Sequence, residues 1–191
     1  MHINLFLMPF IVIIGLLLLM KDTKSTRLWY IVICSITLIL IASLRNTVWM
    51  TEIYGIDSQR YKELFESIFE MNWNDLKQMF YMRYVMKVGD YDVGYLVLNK
   101  LVSLVTHEFW VFSILANMLF FVPFGIILYR YTTNILQIMF AFIFYIALVQ
   151  VFLFAGARQI FAIGFDLMAL LSMIDKKRFW SIIFFFVGIT L

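Results

Sequence analysis

The chain has 191 residues, of which 64% are hydrophobic and only 14% charged, and its mean hydropathy is +0.93. Soluble domains carry about 45–50% apolar and about 25% charged residues, so this chain has too little polar surface to cover a water-soluble globule of its size. The formal charge of +3 reads as loop charge of a membrane protein rather than a nucleic-acid surface, and a single cysteine, Cys34, excludes a disulfide framework or a thiol-rich metal site within one chain.

A hydrocarbon core about 30 Å thick takes about 20 apolar residues per crossing helix. Residues 3–20 are uncharged, with Pro9 early in the run. No basic n-region precedes them and no small-x-small cleavage site follows, so they read as a retained anchor rather than a signal peptide. Residues 28–44 form a second span.

Between Arg45 and Asp92 charges and aromatics interleave. Tyr61, Leu64, Phe65, Ile68 and Phe69 fall at i, i+3, i+4, i+7 and i+8, while Lys62, Glu63, Glu66 and Glu70 fill the other face. Asp57 or Ser58 is placed to cap this amphipathic helix. A second helix is expected from after Asn74 to about Lys87, with Leu76, Met79, Phe80 and Met86 on one side. The pattern predicts that both lie on the membrane surface, apolar side down, in an extracytoplasmic segment over 45–92.

Residues 93–106 are apolar but short and carry Lys100, which predicts a half or re-entrant helix. Further spans follow at 109–129, where Pro123 predicts a kink, at 133–154, and at 159–174, which contains the acid Asp166. The last run, 179–191, is too short to cross, so the chain is expected to end inside a helix. The expected fold is an all-α polytopic membrane bundle of about five or six crossing helices, forming one domain over 1–191.

The loop charges set a topology. Lys21, Lys24 and Arg27, then Arg130, then Lys176, Lys177 and Arg178 fall on one side if residues 93–106 do not cross, and the positive-inside rule makes that side cytoplasmic. The N-terminus, the 45–92 segment and Arg158 then face outward in a multi-pass cell-membrane protein.

Few residues could carry chemistry. Arg45 ends the second span and is either a snorkelling interfacial arginine or a bidentate phosphate clamp. Gly55-Ile56-Asp57 with Tyr61 is either a turn and helix cap, or a site in which Asp57 is a general base or holds a sugar hydroxyl. Asp90 and Asp92, before Gly94 and Tyr95, read as helix caps. Arg158 and Gln159 open an apolar run. Asp166 lies eight residues on, near the same helix face, and is the expected partner of Arg158, as a functional group or as a pin for helix packing. His107 with Glu108 reads as interfacial. No P-loop, GxSxG, DxD or metal-ligand spacing occurs, so neither a metal nor a cofactor is expected.

The order of these features resembles the EpsG family, Wzy-like membrane proteins of exopolysaccharide and capsule clusters. The shared pattern is Leu44-Arg45, then Gly55-Ile56-Asp57 with Tyr61, then Val93-Gly94-Tyr95-Leu96-Val97-Leu98-Asn99-Lys100, then Ala157-Arg158-Gln159 with Ala162. It covers the chain from about Leu28 onward. Ile56 stands where the family usually has threonine, and the stretch from Arg45 to Gly55 is longer than usual. The family continues with further spans, including a His-containing helix, so the resemblance implies that the chain ending at Leu191 is either a truncated product or a fragment.

The resemblance implies a glycosyltransferase-type polymerase that joins undecaprenyl-diphosphate-linked oligosaccharide repeat units at the outer leaflet. Arg45 and Arg158 would then hold the leaving diphosphate, Asp57 would be the base for the acceptor hydroxyl, and Tyr61, Gln159 and Tyr95 would bind substrate. Partners would be the lipid-linked glycan, membrane lipids and other polysaccharide assembly proteins. Two other functions fit the same features: a transporter of the same lipid-linked substrate, and a non-catalytic membrane component of the assembly system.

Overall fold

A computed structural model describes residues 2–48, 56–88, 92–149 and 157–191. Every regular element among them is helical: α1 (His2–Leu19), α2 (Lys24–Val48), α3 (Ile56–Ser67), α4 (Trp73–Tyr84), α5 (Val93–Ser103), α6 (Phe109–Tyr131), α7 (Ile135–Phe144), α8 (Ala157–Ile174) and α9 (Arg178–Thr190). A π-helical turn, Tyr145–Val149, extends α7.

Local chemistry sets the ends of these helices. Before α2, Thr23 and Thr26 cap each other: Thr26 N–H donates to Thr23 Oγ1 (3.2 Å) and Thr23 N–H donates to Thr26 Oγ1 (2.8 Å). Before α7, Asn134 Oδ1 accepts from Gln137 N–H (2.9 Å), satisfying a main-chain donor that the first helical turn leaves open. Before α4, Asp75 Oδ2 accepts from Asn72 N–H (2.8 Å), so this helix starts at Trp73 rather than after Asn74.

Among the described residues, two helices are long and apolar enough to cross a membrane, Lys24–Leu44 within α2 and Phe109–Tyr131. The other apolar helices are shorter. α6 stays helical through Pro123 and packs between α2 and α8. α9 lies on α8, and α1 lies on α7 and α2. Small residues allow the close approaches. A Cβ on Gly164 of α8 would stand 2.9 Å from the Leu119 carbonyl oxygen of α6. The buried aromatics Tyr30, Phe120, Phe121, Phe142 and Tyr145 fill the interior, and Tyr30 hides its hydroxyl by donating to the Ile11 carbonyl (2.8 Å).

The basic turns gather at one end of the bundle. Arg27 Nη1 donates to the Thr132 carbonyl (3.1 Å), and Asp22 accepts from Ile135 N–H at Oδ2 (3.0 Å) while its Oδ1 pairs with Arg27 Nε (3.2 Å). These bonds join the α1–α2 turn to the α6–α7 turn. Arg130 Nη1 meets Asp175 Oδ1 at 2.6 Å and joins the end of α6 to the α8–α9 turn. Lys21, Lys24, Arg27, Arg130 and Lys176–Arg178 therefore share one end, as the loop charges predicted.

α3 departs from the predicted surface helix. Its apolar stripe faces protein, not the lipid boundary. Phe65 and Ile68 are fully buried, the Phe65 ring lies 4.8 Å from Phe112, and the Phe69 ring meets that of His107 at 4.5 Å, tilted by 40°. The start of α6 and the residue before its cap supply aromatic partners, so the stripe is satisfied within the chain and His107 is a packing residue. α4 buries Leu76 and leaves Phe80 exposed; it ends at Tyr84 rather than near Lys87, so Met86 lies beyond it, exposed. α5 has eleven residues, about 16 Å of helix, which is well short of a hydrocarbon core of about 30 Å.

Candidate functional site

At the end opposite the basic turns, α5 begins against the end of α9. Gly94 makes this possible, because a Cβ there would run into the Thr190 carbonyl. That contact fixes Asp92, the residue before α5. Its carboxylate makes no cap bond to the helix; Oδ2 instead accepts from Nη1 of Arg158 in the first turn of α8. Asp92 is therefore not the cap that its position predicted. The expected Arg158–Asp166 pair is replaced as well. Eight helical residues put those side chains about 12 Å apart along the axis, whereas α5 delivers Asp92 directly. Asp166 lies against α9, where a Cβ on Gly188 would stand 2.6 Å from its Oδ1.

The Arg158–Asp92 pair forms one wall of a hollow of about 400 Å³. Arg83 and Tyr84 at the end of α4, Gln159 and Ala162 on α8, and Ile189–Leu191 complete it. The volume lies in the range of small-ligand sites, about 300–1,000 Å³. Arg158 and Asp92 keep 38% and 47% of their side-chain surface open, so a ligand can reach them. Two guanidiniums, an amide and a phenol give the hollow the donor set of an anion site, and guanidinium suits phosphate because its fork binds two oxygens at once. A second hollow of about 380 Å³, between α6, α8 and α9, is apolar apart from Ser172 and offers no such donors.

Below the hollow, Tyr61 and Tyr95 meet edge to face at 5.7 Å, and Tyr95 continues to Phe161 at 6.4 Å. Tyr95 is buried; its hydroxyl and the Asn99 Oδ1 one turn on have no hydrogen-bond partner among the described residues. Lys100, also buried, donates to the main-chain oxygens of Ile68 and Phe69 just past α3. Arg45 lies near the end of α2 and Asp57 in the first turn of α3, and both side chains fall outside the described residues, as does Gly55.

The hollow thus unites Arg158 and Gln159 with three residues that sequence spacing did not bring to it, Arg83, Tyr84 and Asp92. Asp92 carried a sequence signal but a misleading one, since an acid before a helix reads first as a cap. Arg83-Tyr84 carried none.

The EpsG family model matches residues 28–191, most of the chain. The chain belongs to the EpsG family. The match covers the expected range and includes every residue that lines the hollow. EpsG membership makes this a Wzy-like, exopolysaccharide-related membrane protein, in keeping with its long apolar helices. No curated protein and no solved structure matches the chain.

Proposed function

We propose that this EpsG protein polymerises undecaprenyl-diphosphate-linked oligosaccharide repeat units into exopolysaccharide or capsule at the outer leaflet of the cell membrane. The observation that carries the reading is the hollow holding Arg83, Arg158 and Gln159, at the end of the bundle opposite the basic turns. By the positive-inside rule the basic end is cytoplasmic, so the hollow opens outward, and the bundle crosses the membrane several times. α5 serves as a half-helix under this outer face.

The chemistry follows from the donor set. Transfer of a growing chain breaks the bond between the anomeric carbon and the diphosphate oxygen. The acceptor hydroxyl attacks that carbon, loses its proton to a base, and the lipid diphosphate departs with the bonding pair. Arg158 and Arg83 neutralise the charge that develops on the departing diphosphate, with Arg45 assigned to the same role. Asp57 is assigned as the base and Gln159 as a donor to the phosphate or sugar. Tyr61 borders the substrate, and Tyr95 holds Tyr61 from within the core.

Purified protein in vesicles, supplied with lipid-linked repeat units, is expected to produce a ladder of longer glycans. Transbilayer movement of the units without elongation would instead assign a transporter. Binding with neither outcome would leave a non-catalytic assembly component.

A further inference from the structure

The ion pair that closes one wall of the hollow carries a second consequence. An anion that takes the Nη1 donor of Arg158 must displace Asp92, which already accepts from it and offsets the guanidinium's charge. Asp92 is not held there as a helix cap, since its side chain makes no cap bond to α5. It is held by the main chain, through the docking of Gly94 on Thr190. Both members of the pair are accessible to solvent, so releasing the carboxylate to water costs little.

We infer that Asp92 is a specificity-determining residue: it is a resident competitor for Arg158 that yields to a diphosphate and resists singly charged anions. The inference rests on the diphosphate reading above. A lone carboxylate or other monoanion would exchange one ion pair for another and gain nothing. A diphosphate brings more charge and more acceptor oxygens, which Arg83 and Gln159 on the same hollow can use while Arg158 takes the rest. The carboxylate thereby sets a charge threshold for entering the site.

The test is calorimetric titration of the purified full chain with inorganic pyrophosphate, inorganic phosphate and, in a separate arm, a polyprenyl diphosphate carried in the detergent micelle. Asp92→Asn removes the charge and keeps the shape, and Asp92→Ser is a second replacement should the first fail to fold. Both variants are expected to bind pyrophosphate about two- to fivefold more tightly than wild type, as loss of an exposed competing pair implies. Their preference for pyrophosphate over phosphate should narrow, and Asp92→Glu should keep the wild-type preference. The same gain is expected with the polyprenyl diphosphate, because it belongs to the shared headgroup.

Unchanged or weaker binding in both neutral variants would overturn the inference and make Asp92 a residue that orients Arg158. If wild type binds pyrophosphate through Arg158 while the neutral variants gain nothing, the diphosphate reading stands and the competitor fails. If wild type binds neither diphosphate, yet Asp92→Asn captures phosphate and loses it again on adding Arg158→Gln, the competitor stands and the diphosphate reading fails.

Discussion

The ammonium of Lys100 donates to the main-chain oxygen of Ile68 at 3.0 Å, and to that of Phe69 at 3.4 Å. The chain leaving a helix carries carbonyls with no partner inside the helix, and the partial negative charge there favours a cation. A buried lysine on α5 thus ties down the end of α3, the helix that carries Asp57 and Tyr61. Lys100→Met should leave these carbonyls unsatisfied and destabilise the protein by about 1–3 kcal/mol. Thermal unfolding in detergent reads this directly, and a melting temperature equal to wild type would remove the strap from the account.

The glycine contacts of α8 and α9 differ in what they meet. A Cβ on Gly164 meets the main chain of Leu119 at 2.9 Å, which cannot turn aside, whereas the nearest atom to a Cβ on Gly188 is the side-chain oxygen of Asp166, which can, with the Ala162 carbonyl oxygen farther off at 3.3 Å. Gly164→Ala should therefore cost more than Gly188→Ala, with the overpacking at Gly164 worth about 1–3 kcal/mol. Asp166→Ser should relieve Gly188→Ala and leave Gly164→Ala unchanged. Unfolding measurements on the two alanine variants, on Asp166→Ser and on its combination with each decide it, and a larger loss at Gly188 would contradict this packing.

At the opposite end, the hydrogen bond from Arg130 holds the Asp175 carboxyl below the usual carboxylate range. A depressed folded-state pKa adds stability that is present above the unfolded value, about 3.9, and lost as pH falls through the folded value. The stability advantage of wild type over Asp175→Asn should hold above about pH 4 and fade below it. It should also shrink with added salt, since the pair is exposed. An advantage that grows on acidification would show the sign to be wrong.

The shared end of the basic turns makes a topological prediction. With Cys34 replaced by serine, single cysteines at Lys24 and Lys177 should be blocked from the same side of sealed vesicles. A cysteine at Thr106, before α6, should react from the other. Impermeant maleimide labelling separates the two sets, and labelling of Lys24→Cys and Lys177→Cys from opposite sides would break the arrangement.

Much of the architecture was legible in the chain because lipid imposes a simple code. Long apolar runs gave α2 and α6, and loop Lys and Arg gave the end at which α1–α2, α6–α7 and α8–α9 turn. The stripe Tyr61–Phe69 correctly announced a helix, but periodicity cannot say whether lipid or protein covers an apolar face; Phe112 and His107 decided that. At the site, Arg158 and Gln159 were legible because an arginine at a helix mouth is costly without a function or a partner. Its partner was not. Asp166 lies near the same face of the same helix, whereas Asp92 is 66 residues away in sequence and arrives only through the docking of Gly94 on α9.

In the proposed reaction Arg158 holds the departing diphosphate while the glycan is transferred. The most direct measurement is the elongation rate of lipid-linked repeat units by wild type and Arg158→Gln in matched vesicles, with folding checked by unfolding temperature. Removing a preorganised donor to developing charge should slow elongation on the order of 100-fold, with substrate binding less affected. A folded Arg158→Gln protein that elongates at the wild-type rate would contradict the account.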